Sequence, residues 1–287
     1  MSSTIDTLSD LVPSNAILEK LAGDMKFTEG PVWFEEEGGY LVFSDIPGDE
    51  LKCWSAAEGL STFRAPSHNA NGNTRDLDGL LISCEHGSRQ VTRTQADGTV
   101  HVVADTFEGK RLNSPNDAVV KSDGTIWFTD APYGLSDRAQ KELDKHYVFK
   151  MSADGSGLTV VADDFDMPNG LCFSPDEKKL YIADSGKPHH IRVFDVQPDD
   201  TLSGGEVFCV IDKGVPDGIR CDSHGNIWSS AGDGVQIFAP DGSLIGRIAV
   251  PEAPANLCFG GRDGTTLFMT SRTSLYAIET QARGAAR

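Results

Sequence analysis

Six short stretches of the chain each place an oxygen-bearing side chain just before an apolar run typical of a buried strand. The six leading side chains belong to Glu29, Asn71, Asn116, Asn169, Asp217 and Asn256. Carboxylate and amide oxygens are the ligands preferred by hard cations, Ca²⁺ first and Mg²⁺ or Mn²⁺ next. Brought together by the fold, these residues would form a site for one divalent cation.

Four of the six form the predicted ligand set. The carboxylates of Glu29 and Asp217 would neutralise one divalent ion, and the amides of Asn116 and Asn169 would add oxygens without further negative charge. Because Ca²⁺ accepts about 6–8 oxygens, four side chains leave positions for water or substrate, as a catalytic ion requires. The alternative at each single position is a turn residue whose side chain bonds nearby backbone. The other two leading residues fit that alternative, or a supporting role beside the ligands, better.

The spacing of the leading residues predicts the architecture that would bring them together. They lie 42, 45, 53, 48 and 39 residues apart, and in four repeats a turn glycine follows eight residues later. Strand-rich units that recur at roughly 40–50 residues are typical of a β-propeller with four strands per blade. We therefore predict an all-β, six-bladed β-propeller with four-stranded blades. Its equivalent positions would form a ring at one end of the central channel.

The repeat also sets the predicted domain organisation. Residues 25–287 form one catalytic propeller domain, and residues 1–24 form a short N-terminal lead-in outside it. The lead-in has some helical character, which is interrupted at Pro13. The longest irregular insertion, residues 131–146, lies in the third blade and is typical of a lid or a rim decoration.

Charge and cysteine usage narrow the class of partner. The formal net charge of −18 argues against nucleic acid and anionic membrane surfaces as partners. The six cysteines are scattered without metal-ligand spacing, which favours reduced thiols. No apolar run is long enough to span a membrane, and the N-terminus lacks signal-peptide features. We expect a cytoplasmic protein with a small-molecule partner, and we leave its oligomeric state open.

Four motifs give the chain a resemblance to a known family of six-bladed propellers, the gluconolactonase, senescence-marker-protein and luciferin-regenerating-enzyme-like group. The motifs are Phe27-Thr28-Glu29-Gly30-Pro31-Val32-Trp33, Asn113-Ser114-Pro115-Asn116-Asp117, Pro168-Asn169-Gly170-Leu171 and Pro216-Asp217-Gly218-Ile219. The resemblance covers residues 25–280. Further similarity to the bacterial gluconolactonases lies in His68, Thr74-Arg75, Cys84-Glu85-His86 and the run from Arg111 to Asp117.

The resemblance implies metal-dependent hydrolysis of a sugar lactone. It also implies that one divalent ion is surrounded by Glu29, Asn116, Asn169 and Asp217, with Asn116 reaching the ion through water in some members. The expected ion is Ca²⁺, with Mg²⁺, Mn²⁺ or Zn²⁺ as alternatives. The animal branch has an arginine two residues before the third-blade asparagine, where this chain has Ser114. Substrate preference therefore does not carry over from that branch.

Hydrolysis of a lactone passes through a tetrahedral oxyanion, which a cation beside the carbonyl oxygen would stabilise. We predict Asp217 as the general base that activates water, with His68 on a polar loop as the rival base. The predicted substrate-binding residues are Asn116, Arg75, Glu85 and Tyr133.

Two other functions fit the same residues. A phosphotriesterase-type hydrolase would use the ion to polarise a P=O bond instead of a carbonyl. A non-catalytic binding propeller would use the ion only to brace the channel, since propellers support many functions.

Overall fold

The computed structural model describes residues 7–285, and antiparallel strands dominate them. Apolar runs such as Leu81–Glu85 become strands because turn residues delimit them and their side chains are buried between neighbouring sheets. The strands, in chain order, are β1 Glu19–Ala22, β2 Thr28–Phe34, β3 Tyr40–Asp45, β4 Glu50–Ser55, β5 Gly59–Arg64, β6 Ala70–Arg75, β7 Leu81–Glu85, β8 Gln90–Thr94, β9 Val100–Ala104, β10 Thr106–Phe107, β11 Lys110–Arg111, β12 Pro115–Val120, β13 Ile126–Asp130, β14 Tyr147–Met151, β15 Thr159–Ala162, β16 Pro168–Phe173, β17 Lys179–Asp184, β18 His190–Val196, β19 Leu202–Val210, β20 Ile219–Cys221, β21 Ile227–Ala231, β22 Gly234–Phe238, β23 Leu244–Ala249, β24 Asn256–Gly260, β25 Thr266–Ser271 and β26 Ser274–Glu279.

These strands build six four-stranded sheets, so the predicted six-bladed propeller is confirmed. Five blades follow chain order, as β2–β5, β6–β9, β12–β15, β16–β19 and β20–β23, and β10 and β11 form a separate hairpin. The sixth blade combines β24, β25 and β26 with β1 as its outermost strand.

The first and last parts of the chain meet in the sixth blade. Within the predicted lead-in, Glu19 pairs with Ala277 and Lys20 pairs with Tyr276 in an antiparallel ladder. This part of the lead-in is therefore a strand of the propeller rather than a segment outside it, because it supplies the fourth strand that the last blade needs.

The innermost strands of neighbouring blades contact one another in a closed ring. Contacts join β2 to β6, β6 to β12, β12 to β16, β16 to β20, β20 to β24 and β24 back to β2. All six leading residues lie at or just before the start of these inner strands. The ring therefore places them at one end of the channel.

Four inner strands carry an irregularity at the same place. The pairing register shifts by one residue after Glu29 in β2, after Ala70 in β6, after Pro115 in β12 and after Pro168 in β16. A β-bulge of this kind bends its strand and changes the direction of its side chains. The repeated bulge explains how polar side chains at strand starts turn towards the channel.

Glycine follows the leading residue in several blades because the inner backbones approach closely. A Cβ at Gly30, which has a φ of +51°, would clash with the carbonyl oxygen of Asn71. In the third blade Asp117 takes this position instead of glycine. Its Oδ1 would be 2.6 Å from a Cβ at Gly72, so its carboxylate is held inside the ring.

Other features agree with the sequence analysis. All six cysteines lie within the described residues and none is in a disulfide. Within residues 7–285, every helix is a single 3-10 turn, so none could cross a membrane. These turns are Leu8–Asp10, Glu36–Gly38, Ile46–Gly48, Pro132–Gly134 and Arg138–Gln140.

Candidate functional site

Three asparagines from successive blades are joined by direct hydrogen bonds, and we call them the amide arc: Asn71, Asn116 and Asn169. Asn71 Nδ2 donates to Asn116 Oδ1 at 2.6 Å, and Asn116 Nδ2 donates to Asn169 Oδ1 at 2.6 Å. Asn169 Nδ2 then donates to Ser185 Oγ at 2.9 Å and to the Tyr133 hydroxyl at 3.3 Å. The amide arc therefore largely satisfies its own polar groups.

Three carboxylates occupy the rest of the centre, and we call them the acidic arc: Glu29, Asp117 and Asp217. Asn256 Nδ2 lies 3.0 Å from Glu29 Oε2 and 3.4 Å from Asp117 Oδ2, so it bridges two of them. The guanidinium of Arg220 lies 3.5 Å from Asp117 Oδ2. Asp117 and Glu29 are buried, whereas Asp217 is partly exposed.

Burial and mutual repulsion disfavour ionisation of the acidic arc. Burial, followed by the charges of Asp217 and Asp117, raises the pKa of Glu29 well above its usual value. Burial and the charge of Asp117 raise the pKa of Asp217 from 3.8 to about 7. The pKa of Asp117 is raised by burial, although Arg220 partly offsets this. One guanidinium therefore does not balance three carboxylates.

The donor set fits a hard divalent cation. Within the described residues, no group of three or more His, Cys, Asp or Glu side chains is placed to hold a metal ion by itself. A cation at this centre would therefore need amide oxygens as well as carboxylates. Asn71 Oδ1 is buried and has no hydrogen-bond partner in the described chain. An orphaned amide oxygen beside uncompensated carboxylates is the chemistry that Ca²⁺ or Mg²⁺ would satisfy.

His86 joins this centre, and sequence reasoning did not give it a catalytic or ligand role. Its Nε2 lies 3.1 Å from Asn71 Nδ2. Burial lowers the pKa of His86 from 6.5 to about 4, and its hydrogen bond to Asn116 opposes this only partly. The imidazole is therefore neutral at physiological pH. The sequence signal that could have identified His86 is its position directly after β7. The adjacent strand β6 carries the leading residue Asn71 near its start.

The structure does not bring His68 or Glu85 into the centre. His68 is exposed on the loop before β6, and its carbonyl oxygen accepts a hydrogen bond from Gly87. Glu85 is buried, but its carboxylate accepts hydrogen bonds from Arg64 at 2.8 Å and Thr92 at 2.9 Å. Adjacent side chains in extended backbone point to opposite sides, which explains why Glu85 faces away while the next residue faces inwards.

Arg75 and Tyr133 have contrasting positions. Arg75 lies at the far end of β6 from the amide arc, and its Nη2 is 3.5 Å from Glu35 Oε1. Tyr133, at the start of the insertion, contacts Asn169 and donates from its hydroxyl to the carbonyl oxygen of Met167 at 3.0 Å. Of these two predicted substrate-binding residues, the structure places Tyr133 at the centre and Arg75 away from it.

The fold and the site define a six-bladed β-propeller with a polar centre of carboxylates and amides at one end of its channel. Residues 27–273 match the pattern of one family of such propellers, the SMP-30/Gluconolactonase/LRE-like region. The chain belongs to this family.

Three similar proteins illustrate the family. A gluconolactonase of Zymomonas mobilis is 32% identical, over 99% of this chain and 86% of its own. The solved structure of a Xanthomonas campestris gluconolactonase superposes with a TM-score of 0.89 at 37% identity, covering 95% of this chain and 92% of that one. Regucalcin of Xenopus laevis is 26% identical, over 86% of this chain and 83% of its own.

Proposed function

We propose that this chain hydrolyses a sugar lactone and uses one divalent cation, with Ca²⁺ as the expected ion. The proposed ligands of the cation are Glu29, Asn116, Asn169 and Asp217. The observation that carries the proposal is the acidic arc, where three carboxylates converge beside a single guanidinium among the described residues. The reaction is supported by a relative named gluconolactonase that matches 99% of this chain.

The proposed chemistry is water attack on a cyclic ester. When bound, the cation supplies positive charge that stabilises the oxyanion of the tetrahedral intermediate. Asp217 accepts the proton of the attacking water, because it is the partly exposed member of the acidic arc. The water oxygen bonds to the carbonyl carbon, and the ring C–O bond breaks. The departing ring oxygen receives the proton, so the product is an open-chain hydroxy acid.

The remaining predicted site residues have the following roles in this proposal. Asn116 and Tyr133 both border Asn169 and are the proposed substrate contacts. His68 remains the rival base from its exposed loop, whereas the positions of Arg75 and Glu85 give a substrate role no support. A cytoplasmic location stays part of the proposal and is supported by the six unpaired cysteines.

The decisive experiment strips the protein of metal and reloads it with Ca²⁺, Mg²⁺, Mn²⁺ or Zn²⁺ before a pH-indicator assay on sugar lactones. We expect hydrolysis well above the uncatalysed rate, and we expect a chelator to abolish it before the fold melts. Loss of activity only together with unfolding would indicate a bracing ion. Turnover of an organophosphate but of no lactone would instead indicate a phosphotriesterase-type hydrolase.

A further inference from the structure

A polar cleft adjoins the candidate site on the side of His86. Its volume is about 510 Å³, and it lies between the turn after β7, the end of β11 and the insertion of residues 131–146. The residues of its wall that matter here are His86, Arg89, Arg111, Ser136 and Glu142. His86 belongs both to this wall and to the polar centre, where its Nε2 faces Asn71. The cleft is therefore placed to receive the part of a substrate that extends away from the centre.

Arg89 is a buried cation in the wall of this cleft. Its side chain is only 7% exposed, and its Nε donates to the carbonyl oxygen of Leu112 at 2.7 Å. Its Nη1 donates to the carbonyl oxygen of Gln140 at 3.3 Å and lies 3.6 Å from Glu142 Oε1. Its Nη2 has no hydrogen-bond partner anywhere in the described residues. The Nε contact therefore holds the segment before β12 and the Nη1 contacts hold the insertion, whereas Nη2 serves neither.

Arg111 adds a second, exposed guanidinium to the same wall. Its Nη2 donates to the carbonyl oxygen of Ser88 at 2.9 Å, which holds the side chain against the β7 turn. Burial and the positive charge of Arg111 both lower the pKa of Arg89, so the two cations are close enough to repel each other. Glu142 is the one carboxylate among the wall residues, and its Oε2 already accepts the backbone N–H of Arg111.

The cleft thus carries a local excess of positive charge on a chain whose net charge is −18. Among the wall residues two guanidiniums face one carboxylate, and outside the wall the buried carboxylate of Asp130 also acts on Arg89. The Nη2 of Arg89 is unpaired within the described residues. Arginine forks match the geometry of carboxylate, phosphate and sulfonate oxygens, with which they form short charge-assisted hydrogen bonds. An anionic group in the cleft would offset this charge excess.

We propose that this cleft is a subsite for an anionic group of the substrate, carried at the end of a sugar lactone remote from its ring ester. The inference rests on the proposed lactonase function and names its substrate class. Arg111 contacts the oxyanion directly, and Arg89 beneath it supplies a second positive charge. Carboxylate and phosphate groups share this chemistry, and the first test separates them by comparing one substrate of each kind.

The first test compares kcat/KM for D-glucono-1,5-lactone, its 6-phosphate and a glucaric acid lactone that bears a carboxylate. We expect the wild-type protein to prefer an anionic lactone, and Arg111→Gln to lower the anionic-to-neutral ratio about tenfold or more. The matched control is Arg138→Gln, an equal charge change on the exposed part of the same insertion outside the cleft. A wild-type ratio at or below one for both anionic lactones, or equal losses in the two variants, would overturn the subsite.

The second test needs no hydrolysis, so it separates the failure of the subsite from that of the lactonase proposal. Calorimetry compares the binding of D-glucitol and D-glucitol 6-phosphate. We expect tighter binding of the phosphate, a loss of about tenfold or more in Arg111→Gln and none in Arg138→Gln. Glu142→Gln should bind the phosphate more tightly, because it removes the competing carboxylate. Binding that depends on Arg111 without any lactone turnover would retain the subsite and reject the lactonase; equal binding of both probes would reject the subsite.

Discussion

The amide arc and the acidic arc lie at the same end of the channel, yet their polar groups are satisfied in different ways. Asn71, Asn116 and Asn169 pass hydrogen bonds from one blade to the next, so nearly all their polar atoms have partners. In the acidic arc the charge of Asp117 instead raises the pKa of both Glu29 and Asp217, and the guanidinium of Arg220 lies against Asp117. The propeller repeat therefore determines where a side chain lies, while its chemical type determines whether the centre is complete without a cation.

Because of this difference, only the acidic arc carries a large free-energy cost of burial. Buried polar groups cost little when they are hydrogen-bonded, whereas buried charges are expensive unless they are paired. The amide arc can therefore act as a rigid frame that presents the proposed ligands Asn116 and Asn169, whereas the stability of the acidic arc depends on metal and pH. The following predictions test that division, beginning with the largest expected effect.

Asp217→Asn should be the most damaging change to activity, because it turns the partly exposed member of the acidic arc into another amide. The variant loses the proposed base and one negative charge, so kcat for the lactone should fall by roughly 10²–10⁴-fold. The control is Asp241→Asn, which makes the same charge change at an exposed turn of the same blade. Wild-type turnover by Asp217→Asn with Ca²⁺ bound would contradict the proposed mechanism.

The stability of the metal-free protein should fall as the pH rises. The pKa of Asp217 is about 7 in the folded chain against a usual 3.8, so ionisation between these values is opposed only in the folded state. The stability that protonated Asp217 contributes is fully present below pH 3.8, and it is lost as the pH rises through about 7. Urea unfolding with a chelator, at about pH 5 and about pH 8, should show the loss.

Saturating Ca²⁺ provides the control for this pH effect. A bound cation would stabilise the ionised acidic arc, so stability at the higher pH should recover. Asp217→Asn without metal should depend less on pH than the wild-type protein. An equal pH dependence with and without Ca²⁺ would show that the acidic arc is not the group responsible.

Neighbouring substitutions in the two arcs should have opposite signs. Asn116→Leu removes the central link of the amide arc, so Asn71 Nδ2 and Asn169 Oδ1 each lose a hydrogen-bond partner, which should cost roughly 1–3 kcal/mol of unfolding free energy. Asp117→Asn removes a buried charge from the acidic arc and should stabilise the metal-free protein at about pH 8. Denaturant unfolding of both variants under one condition measures the contrast. Destabilisation by both would remove the distinction between the arcs.

The sequence predicted the blade count and the ring because both follow from a repeated local pattern. It identified Glu29 and Asp217 because they occupy the leading position of that pattern. It did not identify Asp117 as part of the centre, since this residue follows a leading position and takes the place of glycine in one blade only. The direction of a side chain at a bulge or after a strand end depends on backbone geometry that residue types do not reveal. For this reason the sequence does not show that His86 faces the centre while Glu85 faces away from it.

The closing strand of the sixth blade was missed for a different reason. The segment Glu19–Ala22 lacks a strong apolar alternation, and two of its four residues are exposed. Its partner strand begins at Ser274, near the other end of the chain. Such a pairing joins segments that are far apart in the chain, so no local sequence pattern reveals it.

Tyr133→Phe should have the smallest effect and should show whether the amide arc extends into the insertion. The hydroxyl accepts a hydrogen bond from Asn169 and donates one to Met167, so its loss should cost about 1 kcal/mol of unfolding free energy. It should also weaken cation affinity several-fold, because the hydroxyl helps to orient Asn169. Tyr147→Phe is the matched control, since Tyr147 donates to Asp144 at 2.7 Å away from both arcs. A raised KM for the lactone with unchanged cation affinity would instead assign Tyr133 to direct substrate contact, and the amide arc would end at Asn169.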